Sequence, residues 1–203
     1  MPFPARLHIE SSRLVVRTVE AGDLPDLLAV NGDDAVTHHL PYASWQSLDD
    51  GRAWLARMDK LAASGSSLQL VLIDKASGHC IGSCLLFRLD EGSARAELGY
   101  VLGHAHWGRG LMFEALSAVI ARALSDGFLT AAPGAPAPAP GSGGLRRLEA
   151  EVNPLNTGSC RVLERLGFKP EGLLRQRWHA KGRVYDTRFY GLLRDDRPAT
   201  AAQ

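Results

Sequence analysis

Residues 68–125 hold the feature that most limits the possible folds. Leu68–Asp74 (LQLVLID), His79–Leu89 and Ala94–Leu102 are apolar, strand-like runs, and KASG and EGS between them are turn chemistry. Strands joined by such short turns lie side by side as an antiparallel meander. The period then changes. Leu111, Ala115, Leu116, Val119, Ile120 and Ala123 recur at helical spacing within Gly110–Ser125. Beyond it, Leu145–Val152 (LRRLEAEV) alternates as a strand does. A strand reached through a helix is parallel to the one before it, so Leu145–Val152 is predicted to run parallel to Ala94–Leu102.

The rest of the chain extends this plan. RLVVRT (13–18) reads as a strand. Leu24, Leu27, Leu28 and Asn31 follow at helical spacing, with Asp23 as the expected N-cap. Ser47 and Asp50 form a capping-box pattern ahead of the stripe Trp54, Leu55, Met58, Leu61, and Gly65 ends that helix. Thr157–Leu166 is a helix stopped by Gly167, and Phe168–Trp178 and Val184–Leu193 close as a hairpin across AKGR. The order β α α β β β α β α β β predicts an α/β (α+β) sandwich around one mixed sheet, a single domain over 1–203. Residues 1–12 read as a leader and 197–203 as a disordered tail. Thr130–Gly144 contains only Ala, Pro, Gly, Ser and Thr, and buries too little to offset its ordering entropy. It is expected to be a flexible surface loop.

With 23 basic and 22 acidic residues the formal charge is +1, so no basic field draws in nucleic acid or an anionic membrane. No apolar run reaches the length of a membrane span, and MPFPARLHIESS lacks the apolar centre of a secretion signal. Three cysteines at irregular spacing (Cys80, Cys84, Cys160) suit reduced thiols. The expectation is a cytoplasmic protein, monomeric or homodimeric.

The turn inside Gly103–Leu116 (GHAHWGRGLMFEAL) carries the chemistry. A helix start presents unpaired N–H groups and roughly half a positive charge. Gly108 and Gly110 let an anion approach the backbone, and Arg109 adds a cation. A tight turn that needs glycine for its dihedrals alone is the alternative. There is no G-x-x-x-x-G-K-[ST], and Phe113 stands where a dinucleotide-binding G-x-G-x-x-G needs its third glycine. His104 and His106 alone make an incomplete metal site, so no metal is expected.

The strings ELGYVL-x(4)-WGRGLMFEAL and EVNPLNTGSCRVLERLGF resemble the GNAT acetyltransferases, and more narrowly the ribosomal-protein-alanine N-acetyltransferases. The resemblance runs from RLVVRT to YGLLRDD. It implies a mostly antiparallel, twisted seven-stranded sheet with about four helices, splayed between its fourth and fifth strands, Ala94–Leu102 and Leu145–Val152. It also implies acetyl-CoA as donor. The family's diphosphate loop reads [Q/R]-x-x-G-x-[G/A], with Trp107, Gly110 and Met112 at its first, fourth and last positions here. The amides of Gly108, Arg109, Gly110, Leu111, Met112 and Phe113 would then hold diphosphate. The backbone of Tyr100, Val101 and Leu102 would bind the pantetheine arm, with Asn156 near the acetyl end.

Acetyl transfer to nitrogen needs a neutral amine. At pH 7 this costs roughly 1.4 kcal/mol for an α-amine and nearer 4.6 for lysine. Glu97 is the candidate base; a carboxylate paired with Arg95 or another cation is the alternative. Many family members protonate the thiolate with a tyrosine at the position of Leu163 here. Ser159, as in the ribosomal-protein group, is the candidate substitute; a cap or first-turn residue is its other reading. Cys160 invites an acyl-enzyme, though a buried helical cysteine is usually packing. Arg161 and Arg165 are candidate phosphate partners or a solvated face, and HHLPYASW (38–45) lies where relatives build the acceptor channel. The resemblance therefore implies transfer to a protein N-terminus. A small amine as acceptor, or a non-catalytic CoA-binding module, remain the alternatives.

Overall fold

The computed structural model describes residues 1–130 and 142–196. Most of the expected 130–144 loop, and the whole of the expected tail, lie outside them. The strands are β1 His8–Glu10, β2 Leu14–Thr18, β3 Leu68–Asp74, β4 Cys80–Asp90, β5 Arg95–Leu102, β6 Arg147–Val152, β7 Lys169–Ala180 and β8 Arg183–Leu193. The helices are α1 Leu24–Asn31, α2 Asp34–Thr37, α3 Leu48–Ala63, α4 Leu111–Leu124 and α5 Thr157–Arg165.

The strands form one sheet in the order β1-β2-β3-β4-β5-β6-β8-β7. All neighbours are antiparallel except β5 and β6. The meander, the closing hairpin and the parallel crossover are therefore as the sequence predicts. The strand count is corrected from seven to eight. Part of the expected leader is β1, which pairs His8–Glu10 with Val15–Arg17; three residues are too few to show an alternation.

Alternation along the strands sorts two cores. Leu70 and Leu72 of β3 face the large core with Leu14, Val16, Leu86 and Leu98, covered by Leu111, Leu116, Val119 and Ile120 of α4. Val71 points the other way, to Leu24, Leu27 and Trp45, with Trp54 and Leu55 of α3 packed against them. Each such buried aliphatic side chain contributes about 1.5–3 kcal/mol.

The caps differ in outcome. Ser47 Oγ accepts from Asp49 N at 3.2 Å and Asp50 Oδ2 accepts from Ser47 N at 3.1 Å, the expected capping box. Asp23 precedes α1 but makes no cap bond. Its carboxylate instead takes both Arg17 Nη atoms, at 2.9 and 2.7 Å, and Glu20 N at 2.8 Å. An ion pair with a strand outcompetes the local cap. The one-turn helix α2, capped by Asp33 through Ala35 N, was not anticipated.

Candidate active site

The sheet opens between β5 and β6. Their parallel ladder couples Arg95–Glu97 to Arg147–Glu149 and goes no further, although β5 continues to Leu102 and β6 to Val152. This is the predicted splay. A cavity of about 350 Å³ occupies it. Glu97, Tyr100, Val101, Asn156 and Ser159 all line it, so five of the candidates named from sequence meet there.

Gly108–Phe113 stand outside the cavity, past the end of β5. Gly108 (φ +71°) and Gly110 (φ +73°) both lie in the left-handed region. A Cβ on Gly108 would meet nothing within 4 Å, so the turn is open to solvent rather than packed. Among the described residues no N–H from Gly108 to Phe113 donates to a backbone carbonyl; the helix ladder begins with Glu114 N on Gly110 O, at 3.0 Å. Leu111 and Met112 are buried, whereas Gly108, Arg109 and Gly110 just before them are exposed. Consecutive free amides at a helix start form an anion cradle of the kind that fits a diphosphate.

Side chains surround this cradle. Arg13 is held by Glu114 through its Nε at 2.6 Å and by the Arg109 carbonyl through Nη1 at 3.0 Å. Its Nη2 lies 3.8 Å from where a Cβ on Gly110 would stand. The sequence reading missed this cation because nothing local links residue 13 to residue 110. Arg165 lies over the Phe113 ring at 4.5 Å. The Trp107 indole donates to the Leu102 carbonyl at 2.7 Å, so that carbonyl is already engaged and is less available to a pantetheine arm than expected. The His104 and Trp107 rings lie 4.5 Å apart, tilted by 48°, and His106 faces Arg109 at 3.5 Å.

Within the cavity Glu97 is buried and accepts from Arg88 Nη1 at 2.7 Å; the partner is Arg88, not Arg95. Arg95 binds Glu149 at 2.8 Å instead. Burial pushes the Glu97 carboxyl above its ordinary range, and the Arg88 bond offsets this only in part. Two bulges set the geometry. The β4–β5 register shifts between Phe87 and Asp90, and Arg88 there has φ +51°. The β7–β8 register shifts between Leu174 and Trp178, around Gln176 at φ +52°. Bulges re-aim side chains. Here they accompany Arg88 on Glu97, and Arg177 Nη2 and Trp178 Nε1 on Glu151 at 3.1 and 2.9 Å.

Asn156 caps α5, its Oδ1 accepting from Ser159 N at 3.1 Å. Ser159 is thus a first-turn residue and not the cap. Its Oγ lies 2.6 Å from the Tyr100 hydroxyl, which sequence reasoning had used only for its backbone. Cys160 is buried and does not line the cavity. Cys84 does line it, but burial pushes its thiol up to about 12, so it holds its proton at neutral pH.

The opposite wall is assembled from distant segments. His38–Tyr42, Trp54, Trp178 and Tyr185 contribute. The 38–45 segment is pinned by Asn31, whose Oδ1 accepts from Tyr42 and whose carbonyl accepts from Trp45 N. At the tip of the β7–β8 hairpin, Lys181 Nζ donates to the Thr37 carbonyl at 2.7 Å, tying hairpin to α2. Of the four tryptophans, Trp54 and Trp178 reach the cavity, Trp45 is core and Trp107 is exposed.

The sequence matches the model of the acetyltransferase (GNAT) domain over residues 13–169. The chain belongs to the GNAT family. It is an N-acetyltransferase by that membership and by its relatives. It is 32% identical over 184 residues to the uncharacterized N-acetyltransferase p20 of Bacillus licheniformis, covering 91% of this chain and 94% of that protein. It is 30% identical over 179 residues to the [ribosomal protein uS5]-alanine N-acetyltransferase of Escherichia coli, covering 82% and 80%. Two solved structures share the fold. RimL, a ribosomal L7/L12 alpha-N-protein acetyltransferase in complex with coenzyme A, has TM-score 0.78 at 18% identity, covering 94% and 100%. Spermidine N-acetyltransferase from Vibrio cholerae, with CoA and spermine, has TM-score 0.73 at 19% identity, covering 92% and 98%.

Proposed function

We propose that the protein transfers acetyl from acetyl-CoA to the α-amine of a polypeptide N-terminus, by direct attack with both substrates bound. The amides of Gly108–Phe113, flanked by Arg109 and Arg13, take the diphosphate. The open edge of β5 at Tyr100–Val101 receives the arm, which brings the thioester into the cavity. Glu97 removes a proton from the acceptor ammonium, and Ser159 hydrogen-bonds the departing sulfur. No metal takes part in this scheme.

The observation that carries the acceptor reading is the charge of the wall. Glu97 and Glu151 each hold an arginine, Arg88 and Arg177. Their negative charge is largely met within the protein, which leaves Asp186 as the lining carboxylate with no ion pair among the described residues and suits one cationic nitrogen rather than a polycation. Burial raises the Glu97 pKa and so narrows its gap to the acceptor, and the gap left is smaller for an α-amine, about 8, than for lysine, about 10.4. The likeness to an enzyme named for an N-terminal alanine supports the same reading. One observation favours a small amine instead: Lys181 ties the tip of the β7–β8 hairpin to α2, next to the His38–Tyr42 wall of the cavity. Three buried, unpaired cysteines suit a reducing cytoplasm.

Acetyl-CoA-dependent thiol release, measured across N-terminal peptides and small amines, tests the proposal. Peptides beginning with small residues are expected to stimulate release most. Stimulation by polyamines alone would overturn the acceptor assignment, and no stimulation by any amine would overturn the catalytic scheme.

A further inference from the structure

We propose that Tyr100 is a positioning residue for the leaving group: its phenol donates to Ser159 Oγ, which frees the serine hydrogen to face the departing sulfur. The inference rests on the acetyl-transfer reading above and names a part of that site which neither the sequence motifs nor the likeness supplied.

Leu163, at the position where many relatives carry the acidic tyrosine, is fully buried in the core and has no proton to give. A phenol nevertheless reaches the same α5 turn from the strand opposite. Tyr100 OH lies 2.6 Å from Ser159 Oγ and 3.1 Å from the Ser159 carbonyl. The phenol has one hydrogen to place. The 2.6 Å contact falls in the normal O–H···O range, whereas 3.1 Å lies just beyond it. The phenol is also the stronger acid of the two hydroxyls, so it is the better donor of the pair. Given to Oγ, its hydrogen leaves the serine hydrogen unassigned, and Ser159 lines the cavity. Asn156 fixes the backbone of Ser159 from the other side.

Burial holds the Tyr100 proton on the phenol well above its ordinary range. Tyr100 therefore orients and polarises; it does not ionise. During transfer the C–N bond forms and the C–S bond breaks, with the C–S electron pair going to sulfur. One acceptor proton goes to Glu97 before attack, and the second, lost as the amide forms, neutralises the sulfur. Ser159 stabilises the charge on sulfur in between, and a chain of two hydrogen bonds strengthens each member.

The test is a double-mutant cycle on single-turnover rates, with acetyl-CoA and an N-terminal peptide. Tyr100→Phe keeps the ring and is expected to lower the rate about tenfold, near the 1.4 kcal/mol of one such bond, with acetyl-CoA affinity unchanged. In the Ser159→Ala background the same substitution is expected to change the rate by less than about twofold, because the group it acts through is gone. Site-specific 3-fluorotyrosine at position 100 restores the donor and is expected to restore the rate, which a packing role alone would not require of a ring already present in Tyr100→Phe. An equal loss in both backgrounds, or no loss in either, overturns the inference. If the wild-type protein releases no thiol with any acceptor, the acetyl-transfer reading fails, and the inference with it. The two failures are distinguishable, because only the second appears without any substitution.

Discussion

At one end of the site, the proposed scheme has six consecutive residues act through their backbone. Gly108–Phe113 present free amides because two left-handed glycines precede a helix whose side chains are packed away. At the other end, the cavity wall draws on β3, β4, β5, β6, β7, β8, α3, α5 and the 38–42 segment, among elements tied by bonds as distant in sequence as Lys181 to Thr37. The first region is local and rigid in its logic, and its chemistry depends little on which side chains it carries. That is why Trp107 and Met112 depart from the family's loop pattern without closing the cradle. The second region has no local logic, and its chemistry depends on which side chains it carries. On this account donor recognition is common property of the fold, and acceptor choice is particular to each chain. RimL and the spermidine enzyme, alike in fold and different in the acceptors their names give, fit that division.

Substitutions can break the comparison. The largest effect is expected from Gly110→Glu. It places a side chain at φ +73°, which costs about 1–2 kcal/mol, and sets a negative charge against the cradle. The rise in melting temperature caused by acetyl-CoA is expected to disappear; a retained shift means that the diphosphate lies elsewhere. Next is Glu97→Gln, expected to lower kcat by about 10²–10³ with acetyl-CoA binding intact. The pH profile sharpens it. The base works only when ionised, and burial raises its pKa, so the wild-type rate climbs as pH rises through that raised value. The variant is expected to lose that limb; an unchanged profile removes Glu97 from the mechanism. The smallest effect is expected from Lys181→Ala. It should alter KM for the acceptor about twofold and leave acetyl-CoA affinity untouched. A matching change on the acetyl-CoA side would show that the two regions are not separable.

Legibility in the sequence follows the same division. The meander, crossover and hairpin are contiguous, and each declares itself by period and turn chemistry. The Ser47–Asp50 box is local and forms as read. Asp23 shows the limit: an N-cap by position, it is drawn off by Arg17, six residues earlier on a strand. β1 and α2 are too short to carry a period. Glu97, Asn156 and Ser159 are named by motif positions, yet the pairings of Arg88 with Glu97 and of the Tyr100 hydroxyl with Ser159 are not. Arg88 meets Glu97 at a bulge in β4, and Tyr100 meets Ser159 where β5 and β6 have stopped pairing. Arg13 is 97 positions from Gly110 and joins it through Glu114. Tyr100–Ser159 and Arg13–Gly110 share no sequence window, and Arg88–Glu97, nine residues apart, pairs across a bulge that no period announces.

The central claim is that free amides at the start of α4 hold the diphosphate of the acetyl donor and so aim the thioester into the splay. A titration of the 15N-labelled protein with coenzyme A, followed by amide NMR, tests it most directly. The account predicts that the resonances of Gly108–Phe113 shift with coenzyme A and stay in place with pantetheine, which lacks the diphosphate. Shifts confined to other segments, or equal shifts with both ligands, would contradict it.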